Sequence, residues 1–309
     1  MINKLSNAYA PSAREEEVRK IIIKELSELY SDVKVDNLGN MIIHKPGKNK
    51  KIAITAPMDE VSFLITHIKN DKTVICTSIS SVKSKALQNN LAIDEDKNLF
   101  ICSKCQNITE NIEKIRNVEF DVLDMCKVKK LNNEFISKTL IYNNNFTETD
   151  DFYIGKAMER SVCCSVLCDL AKKLFNSEYE FYFVFSAQNY CDKKGALTAT
   201  FGIEIDELYN LCCVDAENED ISLGNGPVLI LRDKMMVSDI DLVKKFDNIK
   251  PLQRLISSNF VCEGGYYQKQ HTTQKNISVG IPVNFLGCFN EVVSKNDVNL
   301  LKQIFLEII

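Results

Sequence analysis

The first apolar pattern along the chain is helical. Behind Ser12-Ala13-Arg14-Glu15, the residues Val18, Ile21, Ile22, Leu26 and Leu29 recur at the spacing of one helix face. A Ser followed three residues later by Glu has the form of a capping box, so the helix is expected to start there. Val33 and Val35 then alternate with polar residues, Asn37-Leu38-Gly39-Asn40 turns the chain, and Met41-Ile42-Ile43 continues as a strand. Ile52 to Thr55 reads as a short buried strand that ends at Pro57-Met58-Asp59-Glu60.

From Val61 to Asn145 the texture changes. Short β-like runs (Phe63 to Ile68, Thr73 to Ile79, Leu99 to Cys102, Val118 to Val122, Phe135 to Tyr142) are separated by Asn, Asp and Lys clusters. One helical candidate, Ile108 to Ile115, interrupts them, and the polar run from Asn143 to Glu148 reads as a return linker. Helices and strands alternate afterwards. Val162 to Phe175, Gly195 to Phe201 and Asp239 to Phe246 read as helices; Tyr179 to Phe185, Leu208 to Val214, Pro227 to Leu231 and Val279 to Leu286 read as strands. Asn296 or Asp297 is expected to cap a last helix carrying Val298, Leu301, Ile304 and Phe305. The pattern predicts an α/β protein with a mixed central sheet covered by helices on both faces. Its main domain is discontinuous, residues 1–60 and 146–309, with a small β-rich domain, 61–145, inserted.

The 309 residues suffice for one large domain or two ordinary ones, and 45% hydrophobic with 26% charged residues is the mix of a globular protein. A formal net charge of −4 with no basic block argues against nucleic acid as a partner. The start, Met1-Ile2-Asn3-Lys4-Leu5, lacks the apolar run of a signal peptide, and no stretch is long and apolar enough to span a membrane. A cytoplasmic location is therefore expected. The twelve cysteines have no spacing typical of a small disulfide framework and read as reduced, mostly buried, small apolar residues.

In such a sheet, ligands sit at the carboxyl ends of the strands. Asp59 and Glu60 follow the first buried strand, Ser186-Ala187-Gln188-Asn189-Tyr190 the second, and Asp215, Glu217, Glu219 and Asp220 the third. Acids at several strand ends suit a metal site. They equally suit solvated loops and helix caps, the reading that spacing alone favours.

Motifs carry a family resemblance. Val35-Asp36-Asn37-Leu38-Gly39-Asn40, then Ala56-Pro57-Met58-Asp59-Glu60-Val61, resembles the glutamyl and deblocking aminopeptidases, di-zinc enzymes that assemble as tetrahedral dodecamers. Their pattern is V-D-x-L-G-N followed by A-H-M-D-E-I-G. In order along the chain, Gly155-Lys156-Ala157-Met158-Glu159-Arg160 resembles K-A-L-D-D-R, and Phe185 to Tyr190 with Gly195-Ala196 resembles F-S-x-Q-E-E-V-G-x-x-G-A. Val214-Asp215-Ala216 resembles a D-V or D-A strand end. Leu223-Gly224-Asn225-Gly226-Pro227 matches L-G-x-G-P, and Ile249 to Gln253 resembles G-I-P-x-Q. Gly264-Gly265 stands where G-G-T-D-A is expected, and Gly280 to Val283 and Asn290-Glu291-Val292 resemble G-I-P-T and the closing H-S-x-x-E-V.

The departures fall on the chemistry. The resemblance implies two zinc ions held by a His, a bridging Asp, a Glu, a second Asp and a second His, with a further Glu as general base. Carried over residue by residue, the first His is Pro57, the bridging Asp is Glu159, the base is Asn189, the Glu ligand is Tyr190, and the closing His has no counterpart near Cys288-Phe289-Asn290. Asp215 survives as a metal ligand position, and Asp59 as the residue that orients the first His. An amide cannot take a proton from a metal-bound water near neutral pH. Asp59 and Asn189 are thus vestigial catalytic positions, and Asp215 and Glu159 vestigial metal positions.

Two further chemistries carry less weight. A thiolate site built from Cys191, Cys212, Cys213 or Cys288 with Asp215 competes with the reading that these are core residues. Cys102-Ser103-Lys104-Cys105 is a lone C-x-x-C. Of the three histidines, His67 is expected to pack in an apolar strand and His271 to lie in a surface loop. The expectation is a catalytically inactive member without a cofactor, acting as a binding or assembly subunit of a homo-oligomer, with peptides or active paralogues as further partners. The alternative is an active metal-dependent aminopeptidase with an altered site, using zinc or cobalt.

Overall fold

The structure is a computed structural model. It describes residues 1–80, 82–83, 87–105, 115–123, 128, 130–217, 220–270 and 273–309. In chain order it contains helices α1 (Ile2–Asn7) and α2 (Glu16–Leu26), then strands β1 (Val33–Val35), β2 (Met41–Lys45) and β3 (Lys51–Pro57). Six strands follow: β4 (Ser62–Ile68), β5 (Thr73–Ser78), β6 (Leu91–Ile93), β7 (Leu99–Lys104), β8 (Val118–Val122) and β9 (Thr139–Tyr142). Next come β10 (Thr147–Glu148), β11 (Phe152–Gly155), α3 (Met158–Lys173), β12 (Glu180–Ser186), β13 (Ile205–Asp215), β14 (Val228–Arg232), α4 (Ile240–Lys244) and β15 (Gln253–Ile256). The chain closes with α5 (Gly264–Gln268), β16 (Thr273–Asn284), β17 (Glu291–Ser294) and α6 (Lys295–Ile308).

Strands β1-β2-β12-β3-β13-β16-β17-β11-β10 lie side by side in one 11-stranded sheet, with β14 paired to β16 and β15 to β14. Its centre is parallel: β12, β3, β13 and β16 all run the same way, so their carboxyl ends open on one edge. Alternation sorts the side chains. Phe181, Phe183 and Phe185 of β12 and Tyr209, Leu211 and Cys213 of β13 join the large core under α2, α3 and α6. Val184 and Leu208 face the other way, toward Tyr267 of α5 and the turns around Ala196 and Ala199. The helical cover is thus heavy on one face and slight on the other.

Strands β4-β5-β8-β7-β6-β9 form a separate closed barrel with its own core, including Phe63, Phe100, Phe120 and Leu140. Closure removes the exposed strand edges that such short strands would otherwise present.

Several local expectations change. Ser12 does not cap α2; its hydroxyl donates to Asp59, and Glu15 stands at the N-cap with its carboxylate turned to the backbone of Ala13 and Gln188. Residues Gly195 to Phe201 form successive turns instead of a helix, and Gly195 packs so tightly on Ala187 and Asn40 that a Cβ would meet the Ala187 carbonyl at 2.0 Å. Ser294, not Asn296 or Asp297, caps α6. Asp297 instead accepts from the backbone N–H groups of Gly224 (2.7 Å) and Gly226 (2.9 Å). His67 is exposed, because β4 carries a bulge between Ile65 and His67 that turns the side chain outward. Of the helical candidate Ile108 to Ile115, Ile115 alone is among the described residues; Glu219 and His271 lie outside them.

Candidate functional site

The parallel strands deliver the sequence-predicted residues to one edge. Pro57 ends β3 directly opposite Ser186 at the end of β12, and Asp215 ends β13. The chain leaves β12 through Gln188, whose φ of +54° lies in the left-handed region that non-glycine residues seldom occupy. Its N–H donates to Glu15 (3.0 Å) and its side-chain amide to the Leu38 carbonyl (3.3 Å). That turn aims Asn189 and Tyr190 at α3.

Glu159, in the first turn of α3, receives them. Its Oε2 accepts from the Tyr190 hydroxyl (3.2 Å) and the Asn189 amide (3.4 Å), and its Oε1 from the backbone N–H of Cys213 (3.4 Å). Burial, followed by the Glu159 charge, holds the Tyr190 hydroxyl well above the usual phenol range, so it remains a proton donor at neutral pH.

Asp59 is buried, and its Oδ2 accepts from the Ser12 hydroxyl (2.5 Å) and the Tyr190 backbone N–H (2.9 Å). Burial, with Glu15 adding repulsion, pushes its carboxyl up to about 7 despite those two donors. The neighbouring Glu60 turns into the scaffold. It meets Lys156 Nζ at 2.5 Å and Arg160 Nη1 at 3.0 Å, and accepts from the Ala10 N–H (2.9 Å). Burial would raise its carboxyl, but the two cations outweigh it and leave it below the ordinary value.

Asp215 and Glu217 are met by a residue that sequence reading passed over. Lys83 comes from the connection between β5 and β6, and its ammonium lies 3.0 Å from Asp215 Oδ2 and 2.5 Å from Glu217 Oε2. Two further buried carboxyls, Glu263 and the strand-end Glu291, were not among the candidate site residues. Glu263 accepts from Ser186 Oγ (2.7 Å), and Glu291 from the N–H groups of Gly287 (2.7 Å) and Met158. Burial pushes both up to about 8. Their positions beside Gly264-Gly265 and within Asn290-Glu291-Val292 were the available signal.

The cysteine expectations resolve simply. Cys212 and Cys213 point to opposite faces of β13, into two different apolar clusters. Burial holds the Cys213 thiol well above its ordinary value, and the contact with Cys262 together with burial does the same for Cys212. Cys288, where the closing His would stand, is pushed up to about 11 by burial. Tyr267 is buried within the sheet's lightly covered face. Among the described residues, no group of three or more His, Cys, Asp or Glu side chains is arranged to hold a metal ion. No helix among them is long and apolar enough to cross a membrane.

The M42 glutamyl aminopeptidase profile matches residues 39–304. A protein of Acetivibrio thermocellus whose name places it among aminopeptidases is 24% identical over 325 aligned positions, covering 100% of this chain and 97% of that protein. The lysyl aminopeptidase of Pyrococcus furiosus is 22% identical over 243 positions, 69% of this chain and 66% of the relative. Among solved structures, a TET aminopeptidase from a marine-sediment thaumarchaeote superposes with a TM-score of 0.87 at 16% identity, covering 100% of this chain and 95% of that one. The Pyrococcus horikoshii TET1 peptidase, which can assemble into a tetrahedron or a large octahedral shell, gives 0.81 at 18% identity, over 98% and 96% of the two chains. The chain belongs to the M42 glutamyl aminopeptidase family.

Proposed function

We propose that this chain is a non-hydrolytic member of its family, acting as a binding or assembly subunit of a homo-oligomer. The observation that carries the reading is the environment of Glu159. The positions that resemble the general base and the Glu ligand, Asn189 and Tyr190, spend their polar atoms on the Glu159 carboxylate. That carboxylate is itself the counterpart of the bridging ligand.

The donor set does not fit the two-metal centre that the family implies. A catalytic zinc takes about three protein ligands. Pro57 has no donor atom, the Tyr190 hydroxyl keeps its proton, and Asp215 is paired with Lys83. Without an acidified water and a base, attack on a peptide carbonyl has no nucleophile at neutral pH. Assembly rests on likeness: TET1 of Pyrococcus horikoshii forms closed shells, and closed homo-oligomers are common.

Protein purified without an affinity tag should contain no stoichiometric zinc or cobalt by mass spectrometry and release no N-terminal residue from aminoacyl chromogenic substrates. Asn189→Glu alone should restore neither. Stoichiometric metal that disappears in Asp215→Ala together with measurable hydrolysis would overturn the reading. Light scattering should give a dimer or a larger assembly at micromolar concentration, and a lone monomer would remove the assembly role.

A further inference from the structure

The site lies where the barrel meets the sheet, and Tyr190 packs against the barrel's core. Val82 is buried in the barrel core, which fixes the direction in which Lys83 leaves the barrel. The ammonium then lies between Asp215 and Glu217 of the sheet. The Lys83 side chain is 21% exposed and that of Asp215 13%, so this pair is largely withdrawn from water, whereas Glu217, at 38%, stays open to it.

Two apolar side chains follow the same line. Tyr190 and Phe289 both pack against the barrel core, and the Phe289 ring lies 6.5 Å from that of Tyr142. Asn144, just past the barrel's last strand, donates to Asn290 Oδ1 (2.9 Å) and to the Phe289 carbonyl. Tyr190, the position that resembles the Glu ligand, and Phe289 are therefore engaged in joining two cores.

We infer that Lys83 is the resident cation of this site: its ammonium holds Asp215 and Glu217 in place of a metal and fastens the barrel to the carboxyl ends of the parallel strands. This rests on the reading that the site takes no catalytic metal. An exposed ion pair contributes almost nothing to stability. A largely buried one couples its partners, because removing either side leaves the other charge poorly solvated. An ammonium beside Asp215 also repels any divalent cation approaching that carboxylate, and unlike a metal it cannot dissociate or be chelated.

Hydrogen exchange on the full chain tests the inference, using Lys83→Met, Asp215→Asn, their double variant and Lys83→Arg. Each neutralising variant should speed exchange at residues 205–217 and in the barrel strands by roughly tenfold, and the double variant no more than either alone. Lys83→Arg keeps the charge and should stay near the unmodified rate. Lys69→Met, which breaks an ion pair with Glu119 inside the barrel, should leave 205–217 unmoved. Unchanged exchange in Lys83→Met, additive effects in the double variant, or acceleration at 205–217 in Lys69→Met would each overturn the inference. A cobalt titration of the unmodified protein separates the two levels. Stoichiometric binding at Asp215 sinks the proposed function, whereas unchanged exchange in Lys83→Met without bound metal sinks the role of Lys83 alone.

Discussion

Asp59 and Glu60 are neighbours at the end of the same strand, both buried, and their carboxylates live in opposite conditions. Glu60 turns into the scaffold, where Lys156, Arg160 and the Ala10 amide surround it. Asp59 turns to the site, where a hydroxyl and one backbone amide are its donors. One carboxyl is held below its usual value and the other pushed up to about 7. On the scaffold side, Glu60 has two cations against its one charge. The site side holds Asp59 buried with no cation against it among the described residues.

The largest effect should come from breaking the satisfied side. Arg160→Met leaves Glu60 with one cation and releases the Leu5, Ser6 and Ala8 carbonyls that the guanidinium holds. A cost of about 3–5 kcal/mol is expected from urea denaturation, the range for stripping one partner from a buried pair. Because the Glu60 carboxyl is depressed in the folded state, its contribution is present above about pH 4.3 and is lost as pH falls through the folded value.

Asp59 should show the opposite slope. Its folded carboxyl keeps a proton up to about pH 7 that the unfolded chain has already released. Stability should therefore decline as pH rises from about 4 to about 7 and level off above. Asp59→Asn removes that slope and should be the more stable protein at pH 8, by on the order of 2 kcal/mol. Denaturation midpoints of the two proteins across pH 4–9 check it; parallel curves would mean that Asp59 is ionised throughout. The smallest effect belongs to Ser12→Ala. Losing that donor should cost about 1 kcal/mol above pH 7 and move the Asp59 midpoint upward, a shift visible in the same pH series.

The scaffold was legible because its motifs do local structural work. Asp36 accepts from the N–H groups of Leu38, Gly39 and Asn40 at 2.9 Å each, so V-D-x-L-G-N is a self-contained turn. Gln253 bonds the Ser222 and Gly226 carbonyls, which ties two motifs together. The departures at Pro57, Asn189 and Tyr190 were legible for the same reason, since they sit inside such runs. What replaced them was not. Lys83 belongs to no motif, and its partners become neighbours only when the barrel docks on the sheet. Ser12 misled for a related reason: the helix it signals forms, but the distant Asp59 claims the hydroxyl that was expected to cap it.

The barrel enters and leaves through neighbouring strands, with Ser62 of β4 opposite Ile141 of β9. Once that pair has zipped, the main domain experiences the whole insertion as a connection hardly longer than a tight turn. The entropic penalty for bringing Glu60 to Lys156 grows only logarithmically with the slack between them, and barrel closure removes that slack. The sequence distance across the insertion is therefore a poor guide to folding speed here. A barrel that closes first would let the earliest residues made wait at little cost for the partners that complete their ion pair.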